Sequence, residues 1–165
     1  MIHFSINKNF FLHALTVTKR AISHKNAIPI LSTVKIEVTR DAIILTGSNG
    51  QISIENTIPA SNENAGLLVT NPGSILLEAG FFINIISSLP DVTLEFTEIE
   101  QHQIVLTSGK SEITLKGKDV DQYPRLQEMT TDTPLTLETK LLKSIINETA
   151  FAASQQESRP ILTGV

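Results

Sequence analysis

The chain has 165 residues, of which 41% are hydrophobic and 18% are charged, a balance typical of a globular protein and not of a disordered one. It contains no cysteine, which excludes disulfides and thiolate metal sites. The formal net charge of −4 argues against a nucleic-acid partner, but the charge is unevenly placed: the first acidic residue is Glu37, and the 36 residues before it carry +5, which leaves −9 for the rest. A positive field is therefore expected only near the start of the chain.

No stretch of the sequence reaches the roughly 18 apolar residues that a membrane span needs. The first residues also lack the basic segment and long apolar run of a secretory signal. We therefore expect a cytoplasmic protein.

The first part of the chain predicts the element order β-α-β-β-β. Residues 2–6 alternate as a short strand, and the apolar positions from Lys8 to Ile22 keep helical spacing with a basic exposed side. Pro29 is expected to start an extended segment, and Asn49-Gly50 predicts a hairpin. Strands are predicted around residues 34–38, 43–45 and 52–54.

The next part predicts the same order again. A strand is expected over Leu67 to Thr70, and Asn71-Pro72 has the sequence of a helix start. The predicted second helix, Ser74 to Leu89, is apolar on nearly all sides. Three alternating segments follow, at residues 92–96, 103–107 and 112–116. Two β-α-β-β-β halves form one α+β module of about 120 residues, a usual domain size.

The last part of the chain repeats its beginning. Residues 4–34 align without a gap on residues 135–165 at an offset of 131, with seven identities that include Pro-Ile-Leu at 29–31 and 160–162. We therefore place a first domain at 1–126, and at 127–165 a linker with the incomplete start of a second domain. The polar composition typical of a linker already begins at Lys118 and continues to Asp132. The second domain is predicted to contain a strand at 135–137, a helix at 139–152 and the beginning of a strand at Ile161.

No catalytic or cofactor motif is present. The phosphate-binding GxxxxGK[ST], the dinucleotide-binding GxGxxG and the nucleophile motif GxSxG do not occur, and the four histidines lack metal-ligand spacing. We expect no cofactor, no metal and no enzymatic activity of the chain itself.

Two features suggest a function, and each has an ordinary alternative. The basic cluster Lys19, Arg20, His24 and Lys25 suits a sequence-independent phosphate contact, but cations near a helix C-terminus also complement the helix dipole. The apolar second helix suits a subunit interface, but burial between two sheets explains it as well.

Four segments together resemble one family. They are Asn26–Leu31 (NAIPIL), Leu45–Ser48 (LTGS), Ser111–Leu126 (SEITLKGKDVDQYPRL) and Phe151–Leu162 (FAASQQESRPIL). In this order they resemble the bacterial β sliding clamps, the processivity subunits of the replicative DNA polymerase III. The resemblance implies a DNA-clamp fold, with two helices packed on antiparallel sheets.

The resemblance also implies a function. Three such modules per protomer and two protomers would form a homodimeric ring around double-stranded DNA, and the ring would tether the polymerase without reading bases. The clamp would be a non-catalytic subunit of a DNA-directed DNA polymerase, a nucleotidyltransferase, and would bind polymerase and clamp-loader subunits through a peptide pocket. This chain would then be a fragment without most of the second module and all of the third.

The resemblance further implies site residues. By the family's pattern Lys25 and Gln156 would contact DNA, together with the other members of the basic cluster, Lys19, Arg20 and His24. The protomer interface would include Phe82, Ile85, Ile113 and Leu115, and the partly present peptide pocket would include Arg159 and Leu162. The alternative is a self-associating scaffold with no role on DNA.

Overall fold

The computed structural model describes residues 1–23, 28–90, 92–125, 136–154, 156 and 158–165. The chain divides into two compact units, Met1–Leu126 and Gln127–Val165. The first unit contains β1 His3–Asn7, α1 Lys8–Lys19, a 3₁₀ turn Pro29–Ser32, β2 Thr33–Val38, β3 Ala42–Ser48, β4 Ser53–Pro59, β5 Leu68–Asn71, β6 Gly73–Glu78, α2 Ala79–Ser88, β7 Thr93–Glu100, β8 Gln103–Ser108, β9 Ser111–Lys116 and a 3₁₀ turn Val120–Gln122. The second contains α3 Thr139–Thr149 and two 3₁₀ turns, Ala150–Ala152 and Pro160–Leu162.

The first unit has two antiparallel sheets that exchange strands between the two halves of the sequence. One sheet has the order β5-β1-β7-β8-β9 and the other has the order β4-β3-β2-β6. The strand before each helix therefore joins the sheet of the other half: β1 pairs with β7, and β6 pairs with β2. Because each sheet needs a strand from the other half, neither half can complete its sheet alone.

The core between the sheets and helices is centred on four phenylalanines. Phe4 stacks on Phe96 at a ring distance of 4.8 Å, and Phe11 meets Phe4 edge to face at 5.9 Å. Phe82 meets both Phe11 and Phe96 edge to face, at 6.1 and 6.3 Å. The rings form a closed cycle in which β1, α1, α2 and β7 each contribute one member.

The predicted second helix is wrong at its start. Residues 73–78 form β6 and pair with β2 along the whole strand, so the helix begins only at Ala79. Ile75 and Leu77 enter the main core, while Leu76 is buried in a separate cluster on the other face. A strand that is buried on both faces reads as a continuous apolar run, which periodicity cannot distinguish from a buried helix.

The helix start signal at Asn71-Pro72 was also misassigned, because Pro72 lies at the junction of β5 and β6. The actual N-cap is Glu78, whose carboxylate accepts hydrogen bonds from the amides of Gly80 and Phe81 at 3.2 and 2.5 Å. The carboxylate pairs amides that would otherwise lack an intrahelical acceptor.

The two Pro-Ile-Leu segments are 3₁₀ turns and not the predicted extended segment and strand. Proline at the first position presets the helical φ. The hydroxyl three residues later then closes the turn: Ser32 donates to the carbonyl of Pro29 at 2.8 Å, and Thr163 donates to that of Pro160 at 2.7 Å. Residues 136 and 137 are not a strand, and residue 135 lies outside the described residues.

The repeat at offset 131 is visible in the structure. Helices α1 and α3 begin at Lys8 and Thr139, which are 131 residues apart. Thr18 donates to the carbonyl of Ala14 at 3.0 Å, and its counterpart Thr149 donates to that of Ile145 at 2.7 Å. The two helices therefore share a local hydrogen bond as well as a sequence pattern.

The segment Gly117–Arg125, which we call the strap, is not the free linker that its polar composition predicts. Lys118 and Leu76 exchange two backbone hydrogen bonds of 2.9 and 3.1 Å across the edge of β6. Tyr123 is 8% exposed and packs in a small cluster with Leu31 and Leu76. The strap therefore belongs to the first unit.

Adjacent phenylalanines in α2 provide a matched test of the core. We expect Phe82→Ala to lower the free energy of unfolding by about 3–5 kcal/mol, because it opens the aromatic cycle and leaves a cavity. Phe81→Ala should change it by less than about 0.5 kcal/mol, because surface substitutions usually do. Urea unfolding followed by circular dichroism measures both values, and equal effects would contradict this arrangement of the core.

Tyr123 makes the stability of the chain sensitive to alkaline pH. Burial raises the pKa of its hydroxyl above the usual 10.0, and the nearby Ser48 backbone partly opposes the shift. The pKa of Tyr123 is higher in the folded chain than in the unfolded chain. The stabilisation that comes from this difference is complete at pH values below the pKa of the unfolded chain, and it is lost as the pH rises through the pKa of the folded chain. Between about pH 9 and about pH 11, Tyr123→Phe should lose less stability than the unsubstituted chain.

This difference can be measured by urea unfolding at both pH values, because the two proteins differ only at residue 123. The chain has one tyrosine and no tryptophan, so the ultraviolet absorbance of tyrosinate reports Tyr123 alone. A tyrosinate titration at or below the ordinary pKa would contradict its burial.

Candidate nucleic-acid interface

Helix α1 turns one polar face to solvent. Its exposed residues are Asn9, His13 and Thr16, and Arg20 follows at the helix end. Their spacing of four, three and four residues places them on one side of a helix. The opposite side, with Phe11, Ala14, Leu15 and Thr18, is buried.

Helix α2 packs beside α1 and continues this surface. The Phe11 and Phe82 rings face each other between the helices, and α2 exposes Phe81, Asn84, Ser87 and Ser88. We call the exposed residues of both helices the helix surface: Asn9, His13, Thr16, Arg20, Phe81, Asn84, Ser87 and Ser88.

The helix surface contains no carboxylate. Neither Lys8–Lys19 nor Ala79–Ser88 includes an acidic residue, although the exposed Glu78 caps the first turn of α2. The other acidic side chains described in the first unit lie on strands, turns and the strap. A chain with net charge −4 thus presents a neutral to positive surface at its helices. This separation reduces the repulsion that a polyanion would meet there.

The predicted DNA contacts are only partly described. Lys19 is half-buried in the last turn of α1, and Arg20 is exposed directly after it. Within the part of the chain that the structure describes, no carboxylate forms an ion pair with either cation. His24 and Lys25 lie outside the described residues. Gln156 is exposed in the second unit, where its backbone amide donates to the Ser154 hydroxyl at 3.1 Å.

Lys8 has a structural role that its charge alone did not reveal. Its ammonium group donates to the carbonyl of Leu89 at 2.7 Å and so joins the start of α1 to the end of α2. Lys35 also pairs with Glu37, at 2.7 Å, so at least two of the five cations before Glu37 are engaged within the fold. Asn9 and Asn84 were not predicted from the sequence as part of this surface, although helical spacing counted from Arg20 could have found Asn9.

Two of the four residues predicted for the protomer interface, Phe82 and Leu115, are buried in the main core. Phe82 is 1% exposed and lies inside the aromatic cycle, so its side chain offers no surface to a partner. The preceding Phe81 is 60% exposed. Ile85 and Ile113 are partly buried against the core, and Leu115 is 7% exposed on β9, an edge strand of its sheet.

The two residues predicted for a peptide pocket lie in the second unit. Arg159 precedes the turn Pro160–Leu162 and is exposed, and Leu162 is 51% exposed. The carbonyl of Leu162 accepts from the Ser154 amide at 2.7 Å. Their part in a pocket stays a prediction.

Among the described residues, no cluster of three or more histidine or acidic side chains has the arrangement of a metal site. None of the described helices is both long and apolar enough to cross a membrane.

Comparisons with known proteins identify the class of the module. The family model described as DNA polymerase III beta subunit, N-terminal domain, matches residues 2–127. The chain is 78% identical over 165 residues to the beta sliding clamp of Streptococcus pneumoniae, and the match covers all of this chain and 44% of that protein. It is 58% identical over its whole length to the beta sliding clamp of Lactococcus lactis, of which it covers 43%.

Solved structures agree. The crystal structure of the DNA polymerase III beta chain from Streptococcus pneumoniae superposes with a TM-score of 0.96 at 79% identity, over 99% of this chain and 44% of that one. The DNA polymerase sliding clamp of Bacillus subtilis superposes with a TM-score of 0.93 at 38% identity, over 99% of this chain and 43% of that one.

The fold is thus that of a sliding-clamp module. The chain belongs to the DNA polymerase III beta subunit family and contains its N-terminal domain. It spans less than half the length of the relatives that it matches. The α+β fold expected from the sequence is confirmed, with the second half corrected to β-β-α-β-β-β.

The two kinds of cation on α1 can be separated by stability measurements. We expect Lys8→Met to lower the free energy of unfolding by about 0.5–1.5 kcal/mol, because it leaves the Leu89 carbonyl without this donor. Lys19→Met should cost less than about 0.5 kcal/mol, since its only expected contribution is to the helix dipole. Urea unfolding at low ionic strength tests both. A larger loss of stability for Lys19→Met than for Lys8→Met would contradict the structural role of Lys8.

Proposed function

We propose that the chain is the N-terminal part of a DNA sliding clamp, which encircles duplex DNA and holds the replicative polymerase on it. The observation that carries this proposal is the helix surface: the residues of two adjacent helices, Lys8–Lys19 and Ala79–Ser88, include no aspartate or glutamate in a protein whose net charge is −4. The names of the relatives support the same function.

The helix surface suits contacts with phosphates that do not depend on sequence. Arg20 supplies charge, with the half-buried Lys19 beside it, while Asn9, Thr16 and Asn84 supply neutral hydrogen-bonding groups. Cations that replace condensed counterions attract a duplex without reading bases. A few such contacts hold DNA weakly, which suits a protein that must move along it.

The rest of the assembly is proposed with the family. The second unit would begin a second module, and a third would follow in the full-length protein. Two protomers would close into a ring through the edge strand β9 and helix α2, with Ile85, Ile113 and Leu115 at the contact and Phe81 in place of Phe82. The clamp itself would be non-catalytic and would work in the cytoplasm.

Partner binding is proposed on the same basis. Polymerase and clamp-loader subunits would bind by a peptide pocket to which Arg159 and Leu162 contribute, and His24, Lys25 and Gln156 would add DNA contacts to those of Lys19 and Arg20.

The DNA contact can be tested in the protein extended to the length of its relatives. After loading on nicked circular DNA, the double variant Lys19→Ala/Arg20→Ala should dissociate faster, and its salt dependence should weaken by roughly one to two in the log–log slope. The charge-matched control is Arg40→Ala/Lys110→Ala, because both residues are exposed and lie in turns outside the helices. Retention is measured by gel filtration of the protein–DNA complex.

Three results would argue against the proposal. Equal retention on circular and linearised DNA would exclude a topological ring. If Lys19→Ala/Arg20→Ala behaves like its control, the cations serve only the helix dipole, as in the scaffold alternative. The 165-residue chain alone should bind short duplexes only weakly, so submicromolar and salt-resistant binding would also contradict the proposal.

A further inference from the structure

The end of α1 lies directly on the backbone of β3, and Gly47 is the point of contact. A Cβ at Gly47 would lie 2.7 Å from the carbonyl oxygen of Thr18 and 2.9 Å from Cγ1 of Ile22, whereas a Cβ in ordinary contact stays 3.4 Å or more from such atoms. Glycine inside a strand often marks a place where another backbone approaches closely. The φ angle of Gly47 is not positive, so space, and not backbone conformation, excludes a larger residue here.

This contact lies under the turn that carries the two cations at the end of α1. We call Thr18–Ile22 the cation turn. Thr18 is fully buried at its start, and Ala21 and Ile22 are 2% and 9% exposed at its end. The Ala21 amide donates to the Thr18 carbonyl at 3.2 Å, and the Ile22 amide donates to the Lys19 carbonyl at 2.9 Å. Because the turn is closed by these bonds and buried at both ends, the two cations between them have a fixed origin on the backbone.

A side chain at position 47 would have to move the cation turn. The Thr18 carbonyl belongs to the helix backbone and already accepts the Ala21 amide, and the Thr18 hydroxyl is bonded to the Ala14 carbonyl at 3.0 Å. The strand cannot retreat instead, because β3 is paired on both sides, with β2 and β4, and Gly47 itself lies opposite Ile54. The displacement therefore falls on the end of α1.

We propose that Gly47 is a positioning residue for the phosphate contact of Lys19 and Arg20. Gly47 does not touch DNA. The absence of a side chain lets the cation turn lie on β3, and this sets the place of both cations at the edge of the helix surface. This role rests on the proposed function, because it concerns the same contact with DNA. A larger residue at position 47 moves the cations and so lowers the number of phosphates that they neutralise.

The experiment uses the protein extended to the length of its relatives and loaded on nicked circular DNA. Gly47→Ala should dissociate faster, and its salt dependence should weaken by roughly one to two in the log–log slope, as for Lys19→Ala/Arg20→Ala. The slope counts phosphate contacts, which a loss of stability alone leaves unchanged. Adding Gly47→Ala to Lys19→Ala/Arg20→Ala should cause no further loss of retention, because both changes remove the same contact.

The matched control is Gly117→Ala, at the start of the strap. A Cβ there would lie 2.9 Å from the carbonyl oxygen of Leu76 and 2.5 Å from Cδ1 of Ile75, a conflict as close as that at Gly47. The control should therefore lower the stability in urea unfolding but keep the salt slope of the unsubstituted protein. If Gly47→Ala does not unfold cooperatively, Ile22→Ala decides, because it loosens the same contact without a clash and should show the same lower slope.

Three results would overturn the positioning role. They are an unchanged salt slope in the folded variant, an equal reduction of the slope in Gly117→Ala, and full additivity with Lys19→Ala/Arg20→Ala. The proposed function is tested separately by that double variant. If the double variant keeps normal retention, the contact with DNA is refuted and the role of Gly47 with it. If the double variant loses retention and Gly47→Ala does not, only the role of Gly47 is refuted.

Discussion

The closed cycle of four phenylalanines is the constraint on which the first unit depends. Phe4 and Phe11 come from the first half of the sequence, and Phe82 and Phe96 come from the second. Each ring therefore packs on a ring from the other half, either across the sheet or between the helices. Aromatic pairs of this geometry contribute beyond their buried area. Because the cycle closes only when β1, α1, α2 and β7 are all in place, it fixes the two helices side by side and so creates the helix surface.

The exchange of strands between the two halves also holds the two helices side by side. With β1 in the sheet of β7, and β6 in the sheet of β2, each helix leaves one sheet and packs against elements that belong to the other half. The hydrogen bond from Lys8 to Leu89 then joins the start of one helix to the end of the next. The outward sides of α1 and α2 do not pack in the core. The identity of their exposed polar residues is therefore not determined by core packing.

Much of this could be predicted from the sequence, and the failures have physical causes. Alternation and turn residues located β1, β2, β3 and β7 to β9 because one face of each strand is exposed or half-exposed. The prediction of β6 failed because both faces of this strand are buried. Leu76 is covered by Tyr123, and Ile75 and Leu77 lie in the main core. That burial depends on the strap, more than 40 residues later in the chain, which no local pattern can reveal. Phe82 was assigned to a surface for a related reason: the FF pair at 81 and 82 does not show which ring faces inward.

The second unit shows how far helical pattern alone determines burial. Leu142, Ile145 and Ile146 stand 131 residues after Phe11, Ala14 and Leu15, and they remain 43–45% exposed although their counterparts are at most 3% exposed. The helix, the threonine hydrogen bond and the Pro-Ile-Leu turn form in both places. Local sequence therefore produces the elements of a module, whereas burial of its core positions requires strands to cover them. In the first unit those strands come from both halves of the sequence, so the repeated segment at residues 135–165 corresponds to a part of a module that cannot cover its own apolar face.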